Sequence, residues 1–228
     1  MASVPTIGWR AFVRRFAWQS GEHVTILGHT GSGKSELARR LLSGRRWVVV
    51  LGTKPRDVTL DRYVDDGYDR ISRWPPEPHV TKAILWPRII DRSDLAGLAP
   101  LFADALDDIF VQGAWTVGID ELHYAAGRLG LEPHLSDLWE QGRSLGVSVL
   151  AATQRPANVP LLAYSSATHL FLARTTDDRD LARLVEIGGG TDKQLLRDTV
   201  RKLPRFAYVY VNTRTGSMFV TRAPSPDQ

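Results

Sequence analysis

Eight residues near the start of the sequence have types and spacing that could bind a phosphate. Residues 28–35 read Gly-His-Thr-Gly-Ser-Gly-Lys-Ser and match the pattern G-x-x-x-x-G-K-[ST] at every fixed position. Glycines let the backbone turn tightly enough to point successive N–H groups at a phosphate, and the positive end of a following helix adds to that field. Lys34 would then bridge the β- and γ-phosphates of a nucleotide, and the Ser35 hydroxyl would hold Mg²⁺. We expect nucleotide contacts from Gly28, His29, Thr30, Gly31, Ser32, Gly33, Lys34, Ser35 and Glu36.

The segments around this loop have the patterns that such a loop needs. Residues 23–27 are a short, mainly β-branched apolar run, which predicts a strand, and residues 35–42 predict a helix that starts inside the loop. The alternative is a glycine turn between a strand and a helix that binds nothing. The strand, turn and helix order favours the phosphate site.

An acidic pair ends a second apolar run. Residues 115–119 predict a strand, and Asp120 and Glu121 follow it directly. If this strand lies beside the strand of the glycine loop, Asp120 can hold Mg²⁺, usually through a water, and Glu121 can take a proton from a water that attacks the γ-phosphate. The alternative is that the acidic pair only caps the strand or starts a helix. A carboxylate aimed at water favours hydrolysis over transfer of the phosphate to a substrate hydroxyl, as in a small-molecule kinase.

A glutamine follows the next predicted strand. Residues 147–152 are apolar and lead into Thr153 and Gln154. An amide at this position can hydrogen-bond both the γ-phosphate and the attacking water, and so report which nucleotide is bound. On its own, a glutamine at a strand end is more often a solvated loop residue.

The amino-acid composition excludes some classes of protein. The 228 residues are 43% hydrophobic and contain no cysteine, so they can bury a sizeable core and exclude a disulfide scaffold and thiolate metal sites. The net charge of +4 is weak support for a polyanionic partner. We expect no membrane span, and a soluble protein of the cytoplasm, or of the host cytoplasm if the protein is viral.

Alternation of strands and helices predicts an α/β fold with a central, mainly parallel sheet, helices on both faces and a C-terminal β-hairpin. Further strands are predicted at 47–51, 83–86, 169–173, 206–211 and 217–221, and further helices at 9–16, 95–109, 135–145, 177–187 and 192–200. The segment 52–87 reads as polar and irregular apart from the strand near its end. We divide the chain into an amphipathic helix and lead-in (1–21), a P-loop domain (22–203), and a hairpin with a tail (204–228). The helix at 9–16 is expected to dock on the sheet rather than on a membrane.

A longer motif resembles a known family. Residues 151–156, Ala-Ala-Thr-Gln-Arg-Pro, followed by Asn158-Val-Pro160, closely resemble a stretch of the FtsK/HerA superfamily of DNA-pumping ATPases. With the glycine loop, the acidic pair and residues 142–146, the resemblance covers residues 22 to about 175. It implies the P-loop NTPase fold of ASCE/RecA-like type, with Gln154 as the nucleotide sensor. It also implies that Arg143 is a finger inserted into the neighbouring subunit's site, with Arg155 and Arg174 as rivals.

The resemblance implies an ATP- and Mg²⁺-dependent motor that moves double-stranded DNA. Because its site would be completed between subunits, we expect a homo-oligomeric ring, pentameric or hexameric. The chain has the size of a bare motor of the kind that packages viral genomes, where a viral portal or capsid protein would be a further partner. A cellular DNA-transfer or segregation motor, and a nucleotide-gated assembly or secretion ATPase that binds no DNA, remain open. Candidate DNA contacts are Lys54, Arg56 and Arg128.

Overall fold

The fold is taken from a computed structural model that describes residues 3–91, 93–154, 160–187 and 192–224, without the side chains of 184–187. Within these residues, nine strands form one sheet. The strands are β1 (His23–Leu27), β2 (Val48–Leu51), β3 (Asp69–Ile71), β4 (Lys82–Leu85), β5 (Thr116–Ile119), β6 (Ser148–Thr153), β7 (Ala167–Ala173), β8 (Ala207–Asn212) and β9 (Met218–Arg222). The α-helices are α1 (Trp9–Arg15), α2 (Lys34–Ser43), α3 (Val58–Asp65), α4 (Leu98–Gln112), α5 (Glu132–Leu145), α6 (Leu162–Ser165), α7 (Asp178–Ile187) and α8 (Lys193–Lys202).

The strand order across the sheet is β3-β4-β2-β5-β6-β1-β7-β8-β9. Strands β1 to β7 pair in parallel, and β8 and β9 add an antiparallel hairpin at one edge. Every residue of β1, β2, β5, β6 and β7 is buried, as the continuous apolar runs predict for strands covered on both faces. Because the parallel strands run in the same direction, their carboxyl ends meet at one edge of the sheet, where the candidate site residues emerge.

Helices cover both faces of the sheet. Helices α1, α2 and α3 pack on one face, which contains Val24, Val50 and Phe171. Helices α4, α5, α6, α7 and α8 pack on the other face, which contains Val49 and Leu172. The predicted α/β architecture, with helices on both faces and a C-terminal hairpin, is therefore confirmed.

The amino-terminal helix docks on the sheet, as predicted. Phe12 of α1 is 1% exposed, and its ring contacts Phe171 of β7 and Tyr210 of β8 with centroids 5.7 and 5.0 Å apart. Just before the helix, Thr6 forms a bridge to Val220 of β9. The exposed Arg14 and Arg15 form the last turn of the helix. The apolar side of this helix is thus used by the core.

Two segments contain regular structure that the sequence analysis did not predict. The segment 52–87 was predicted to be irregular before its last strand, but it also forms α3 and β3. Helix α3 begins because the Asp57 side chain accepts a hydrogen bond from the Thr59 N–H, and it persists because Leu60 and Tyr63 are buried one turn apart. The candidate DNA contact Arg128 also lies in regular structure, because residues Tyr124–Arg128 form a π-helical turn.

The order of the central strands corrects a third expectation. The strand that ends at Asp120 was expected to lie beside the strand of the glycine loop. Strand β6 lies between β5 and β1 instead, and pairs with both. The strand that carries Gln154 therefore stands between the strands that carry the glycine loop and the acidic pair. The predicted domain boundaries at 21/22 and 203/204 stay predictions.

In the described part of the chain, no helix combines the length and the apolar character that crossing a membrane requires.

Candidate active site

The glycine loop follows β1 and has the backbone shape that its sequence requires. Gly31 and Gly33 have φ angles of +78° and +92°, which favour glycine. A Cβ atom on Gly28 would lie 2.6 Å from the Ala173 Cβ and 2.6 Å from the Ser32 Oγ, so no side chain fits there. The loop thus folds tightly onto the end of β7.

Helix α2 begins at the end of this loop without a side-chain cap. Gly33 is the N-cap residue and provides no side-chain hydrogen bond to the helix start. The first N–H groups of a helix have no intrahelical acceptor, and the helix dipole places positive charge around them. These groups fit an anion such as a nucleotide phosphate.

Lys34 is held at the same place. Lys34 is 8% exposed, and its Nζ donates a hydrogen bond to the His29 carbonyl at a distance of 3.1 Å. Burial lowers the pKa of Lys34, although the carboxylates of Asp120 and Glu121 act in the opposite direction. A cation with so little hydration is suited to bind a phosphate group that enters the loop.

Ser35 and Asp120 form a hydroxyl–carboxylate pair between α2 and the end of β5. The Ser35 Oγ lies 2.9 Å from both carboxylate oxygens of Asp120. Burial raises the pKa of Asp120, while the Ser35 hydrogen bond and the charge of Lys54 counteract it. Among the described residues, no cluster of three or more His, Cys, Asp or Glu side chains could hold a metal ion. Two oxygen ligands, completed by water and by the phosphates of the nucleotide, are the set that Mg²⁺ accepts.

Glu121 forms an ion pair with Lys54, which follows β2. The Lys54 Nζ lies 2.8 Å from Oε1 of Glu121 and 3.4 Å from Oδ2 of Asp57. Burial lowers the pKa of Lys54, but Glu121, Asp57 and Asp120 outweigh this effect and leave it raised. Lys54 was predicted as a DNA contact, and the structure places its ammonium group beside the acidic pair. A lone lysine in a loop gave no signal that would have placed it there.

Gln154 lies between the glycine loop and the acidic pair. Its side-chain Oε1 accepts a hydrogen bond from the Thr30 hydroxyl at 3.0 Å. The residue is exposed at the end of β6, so its amide can reach a ligand held by the glycine loop. The role of Gln154 as a sensor of the bound nucleotide stays a prediction.

These groups surround one cavity of about 360 Å³ at the carboxyl edge of the sheet. The volume falls in the range of ordinary small-molecule sites. The lining includes four residues that the sequence did not suggest, two from α3 and two from the start of the hairpin. The lining residues are Thr30, Gly31, Gly33, Lys34, Ser35, Glu36, Lys54, Thr59, Arg62, Asp120, Glu121, Gln154, Arg205 and Phe206.

Glu36 lines the cavity, but its carboxylate is bound by arginines. It pairs with Arg39 at 2.9 Å, with Arg40 at 2.7 Å and with Arg62 at 3.7 Å. The side chain is almost fully buried in this cluster. Its expected contact with nucleotide stays a prediction, and the contacts that the structure gives it stabilise α2 and connect it to α3.

The three candidate finger arginines occupy different places. Arg143 is exposed near the end of α5, at the opposite edge of the sheet from the cavity. A Cβ on Gly21, just before β1, would lie 2.7 Å from the Arg143 Cα. Arg174 follows β7 and lines a second cavity of about 560 Å³ with Gly28 and Gln154. Arg155 lies outside the described residues.

The sheet, the glycine loop and the helices on both faces define the P-loop NTPase fold. Comparison with solved structures gives the same class. The genome packaging NTPase B204 of Sulfolobus turreted icosahedral virus 2, in complex with AMPPCP, is similar with a TM-score of 0.67 and 14% identity, over 90% of this chain and 99% of that chain. VirB4 of Thermoanaerobacter pseudethanolicus is similar with a TM-score of 0.64 and 10% identity, over 90% of each chain.

A third similar structure is the cytoplasmic domain of the Type VII secretion ATPase EccC of Thermomonospora curvata, with a TM-score of 0.60 and 16% identity. It matches over 91% of this chain, which spans 25% of that chain. No protein-family model and no curated protein sequence matches the chain. The expected likeness to small viral genome-packaging ATPases is thus confirmed at the level of the fold.

Proposed function

We propose that this protein is a Mg²⁺-dependent ATPase that moves double-stranded DNA as a homo-oligomeric ring and packages a viral genome. One observation carries the hydrolytic part of the proposal. Lys34, the Ser35–Asp120 pair, Glu121 and Gln154 come from three separate segments and line one cavity. This is the set of groups that hydrolysis of a nucleoside triphosphate requires.

The loop and Lys34 bind the triphosphate. The uncapped N–H groups at the start of α2 face the phosphates, and the Lys34 ammonium neutralises charge on their oxygens. Ser35 and Asp120 would hold Mg²⁺, which supplies further positive charge to the phosphate oxygens when it is bound. These contacts fix the position of the γ-phosphate relative to the acidic pair.

Glu121 acts as the general base. Its carboxylate takes a proton from the attacking water, for which it must first separate from the Lys54 ammonium. Gln154 orients the same water and senses the γ-phosphate, after releasing the Thr30 hydroxyl. Both catalytic side chains are therefore already at the cavity, and each has one hydrogen bond to exchange.

The ring supplies the last group. Arg143 lies at the far edge of the sheet from the cavity of its own chain, as a finger for a neighbouring chain would. An arginine delivered in this way can accelerate phosphoryl transfer by roughly 10³- to 10⁵-fold. Hydrolysis would then require an assembled ring.

DNA as the substrate is supported by similarity in fold to the genome packaging NTPase B204 over 99% of that chain. The net charge of +4 also suits a polyanion. Arg56 and Arg128 remain candidate phosphate contacts. A portal or capsid protein would be the partner through which such a motor acts on a virus particle.

The test is the ATPase rate of the wild type and of Glu121→Gln, with and without long duplex DNA at low salt. We expect long duplex to accelerate the wild type, and single-stranded DNA of equal length to do so less. Glu121→Gln should lose turnover by about 10²- to 10⁴-fold under both conditions, because the amide cannot accept the proton. Hydrolysis that long duplex leaves unchanged would contradict the DNA motor.

A secretion or assembly ATPase is the second candidate. The fold similarity to the Type VII secretion ATPase EccC favours it, although this chain spans only 25% of that structure. This second candidate function uses the same hydrolytic site as the DNA motor and differs from it in the substrate. ATPase activity that depends on Glu121 but not on DNA would favour this candidate.

A further inference from the structure

The start of the C-terminal hairpin lies at the cavity, and the proposed hydrolysis does not yet use it. Arg205 and Phe206, directly before β8, line the cavity together with Lys34 and Glu121. Phe206 has a φ angle of +63°, in the left-handed region that bulky residues rarely adopt. Backbone strain of this kind persists where the surroundings hold it, and it is concentrated at functional sites.

Contacts with the glycine loop hold the hairpin in this position. The Tyr208 hydroxyl donates to the Ser32 carbonyl at 2.8 Å, and this hydrogen bond is buried. The Phe206 ring reaches Gly33, with its Cδ1 atom 3.0 Å from the place where a Cβ on Gly33 would lie. The hairpin therefore contacts the loop at Phe206 and at Tyr208, which holds residue 206 beside the loop.

Arg205 differs from Arg62 and Lys54, which line the same cavity. Arg62 lies 3.7 Å from the Glu36 carboxylate, and Lys54 lies 2.8 Å from that of Glu121. Arg205 has no carboxylate partner among the described residues, and its guanidinium lies 4.6 Å from the centroid of the Phe206 ring. The stacking limits the freedom of the side chain without neutralising its charge.

We infer that Arg205 binds the phosphates of the nucleotide held by its own chain. A guanidinium presents a planar fork that can bind two phosphate oxygens, and its orientation on a ring reduces the entropy lost on binding. Arg205 stands directly before the strained backbone of Phe206 and lines the cavity. The inference rests on the proposed function, because it takes the cavity to be a nucleoside triphosphate site.

The test is the dissociation constant of a non-hydrolysable ATP analogue for the wild type, Arg205→Ala and Arg205→Lys. We expect Arg205→Ala to weaken binding by about 10- to 100-fold, the effect of losing a charge-assisted pair of hydrogen bonds. Arg205→Lys should bind the analogue with an affinity between those of Arg205→Ala and the wild type, because lysine keeps the positive charge but lacks the planar fork of the guanidinium. Arg222→Ala removes an exposed arginine of β9 in the same hairpin and should bind as the wild type. Melting temperatures of the variants check that the fold is intact.

Wild-type affinity in Arg205→Ala would overturn the inference, and if that variant instead loses duplex binding, Arg205 contacts DNA. The variant Lys34→Ala distinguishes failure of the inference about Arg205 from failure of the proposed function. If it loses the analogue while Arg205→Ala retains it, only the inference about Arg205 fails; if both retain it, the proposed function fails as well.

A mixture of Arg205→Ala with Glu121→Gln tests whether Arg205 acts within its own chain. Every site in such a ring lacks either Arg205 or Glu121, so hydrolysis should not exceed that of the separate variants. Recovered hydrolysis would mean that Arg205 serves the neighbouring chain, contrary to the inference.

Discussion

The ion pair between Glu121 and Lys54 is the residue contact that most directly affects the proposed hydrolysis. The two groups lie 2.8 Å apart, and their side chains are 34% and 42% exposed. A pair this open to solvent is worth about 0.2–1 kcal/mol, so it separates easily. Until it separates, the ammonium competes with water for the carboxylate oxygens of Glu121. Lys54 therefore restrains the base in the proposed mechanism.

We predict that Lys54→Met increases kcat without DNA by roughly 1.5- to 5-fold, the factor that corresponds to losing such a pair. KM for ATP should rise, because the cavity loses a cation. Steady-state kinetics over a range of ATP concentrations separates the two effects. Lys82→Met is the matched control, since the Lys82 Nζ donates to the Ser43 carbonyl away from the cavity. A fall of kcat to the level of Glu121→Gln would show that Lys54 positions the base instead.

The sequence predicted the residues that a local pattern specifies. Asp120 was predicted to lie near Ser35 because each belongs to a short motif with known chemistry, and the two are in contact. The presence of Lys54 and Arg205 at the cavity was not predicted, for a physical reason. Each is a single cation in a loop, and only the packing of distant strands brings it to the cavity.

At the level of elements, β1 carries the glycine loop at one end and His23 at the other. The buried His23 Nδ1 accepts a hydrogen bond from the Val149 N–H at 3.0 Å, which connects β1 to β6. Its Cε1 lies 3.2 Å from the place of a Cβ on Gly142, so α5 packs directly on the ring. Burial, and then the charge of Arg214, lower the pKa of His23 to about 4. The packing of these elements therefore requires a neutral imidazole.

We predict that protonation of His23 lowers the free energy of unfolding as the pH falls. Its pKa is lower in the folded than in the unfolded state, so its contribution is complete above pH 6.5 and disappears as the pH falls toward 4. The loss amounts to about 3 kcal/mol. His23→Asn keeps an acceptor and cannot become charged, so its free energy of unfolding should fall less over this range. Urea unfolding at a series of pH values measures it.

The control for this prediction is His79→Asn, which replaces an exposed histidine and should follow the pH dependence of the wild type. If His23→Asn loses as much stability as the wild type between pH 6.5 and 4, then other groups cause the acid sensitivity.

The elements that the sequence predicted are those with strong apolar patterns. Val48–Leu51 reads as a buried strand because four apolar residues follow one another. Asp69–Ile71 has no buried residue, so no pattern marks β3, and it forms because β4 offers an edge to pair with. The place of β6 between β5 and β1 is a matter of strand order, which the periodicity of a single segment does not encode.

At the scale of the whole molecule, Arg143 lies too far from its own cavity to act there. It lies beside Gly21 at the amino end of β1, whereas the cavity lies beyond the carboxyl end. Five residues of strand separate the two by roughly 17 Å. If Arg143 acts in hydrolysis, it must do so in the site of another chain. The sequence alone could not predict the distance between Arg143 and the cavity, because that distance depends on the direction of β1 and the position of α5.

The central claim is that one chain supplies Glu121 and its neighbour supplies Arg143. Mixing the variants Glu121→Gln and Arg143→Ala tests it most directly. Each variant alone should bind ATP but not hydrolyse it, because every site lacks one of the two groups. In rings assembled from equal amounts of both, about a quarter of the sites contain Glu121 from one chain and Arg143 from the next.

The measurement is the ATPase rate of the mixture relative to the separate variants. The account predicts that hydrolysis returns on mixing, to about a quarter of the wild-type rate if the sites act independently. A mixture as inactive as its components, or full activity of either variant alone, would contradict it.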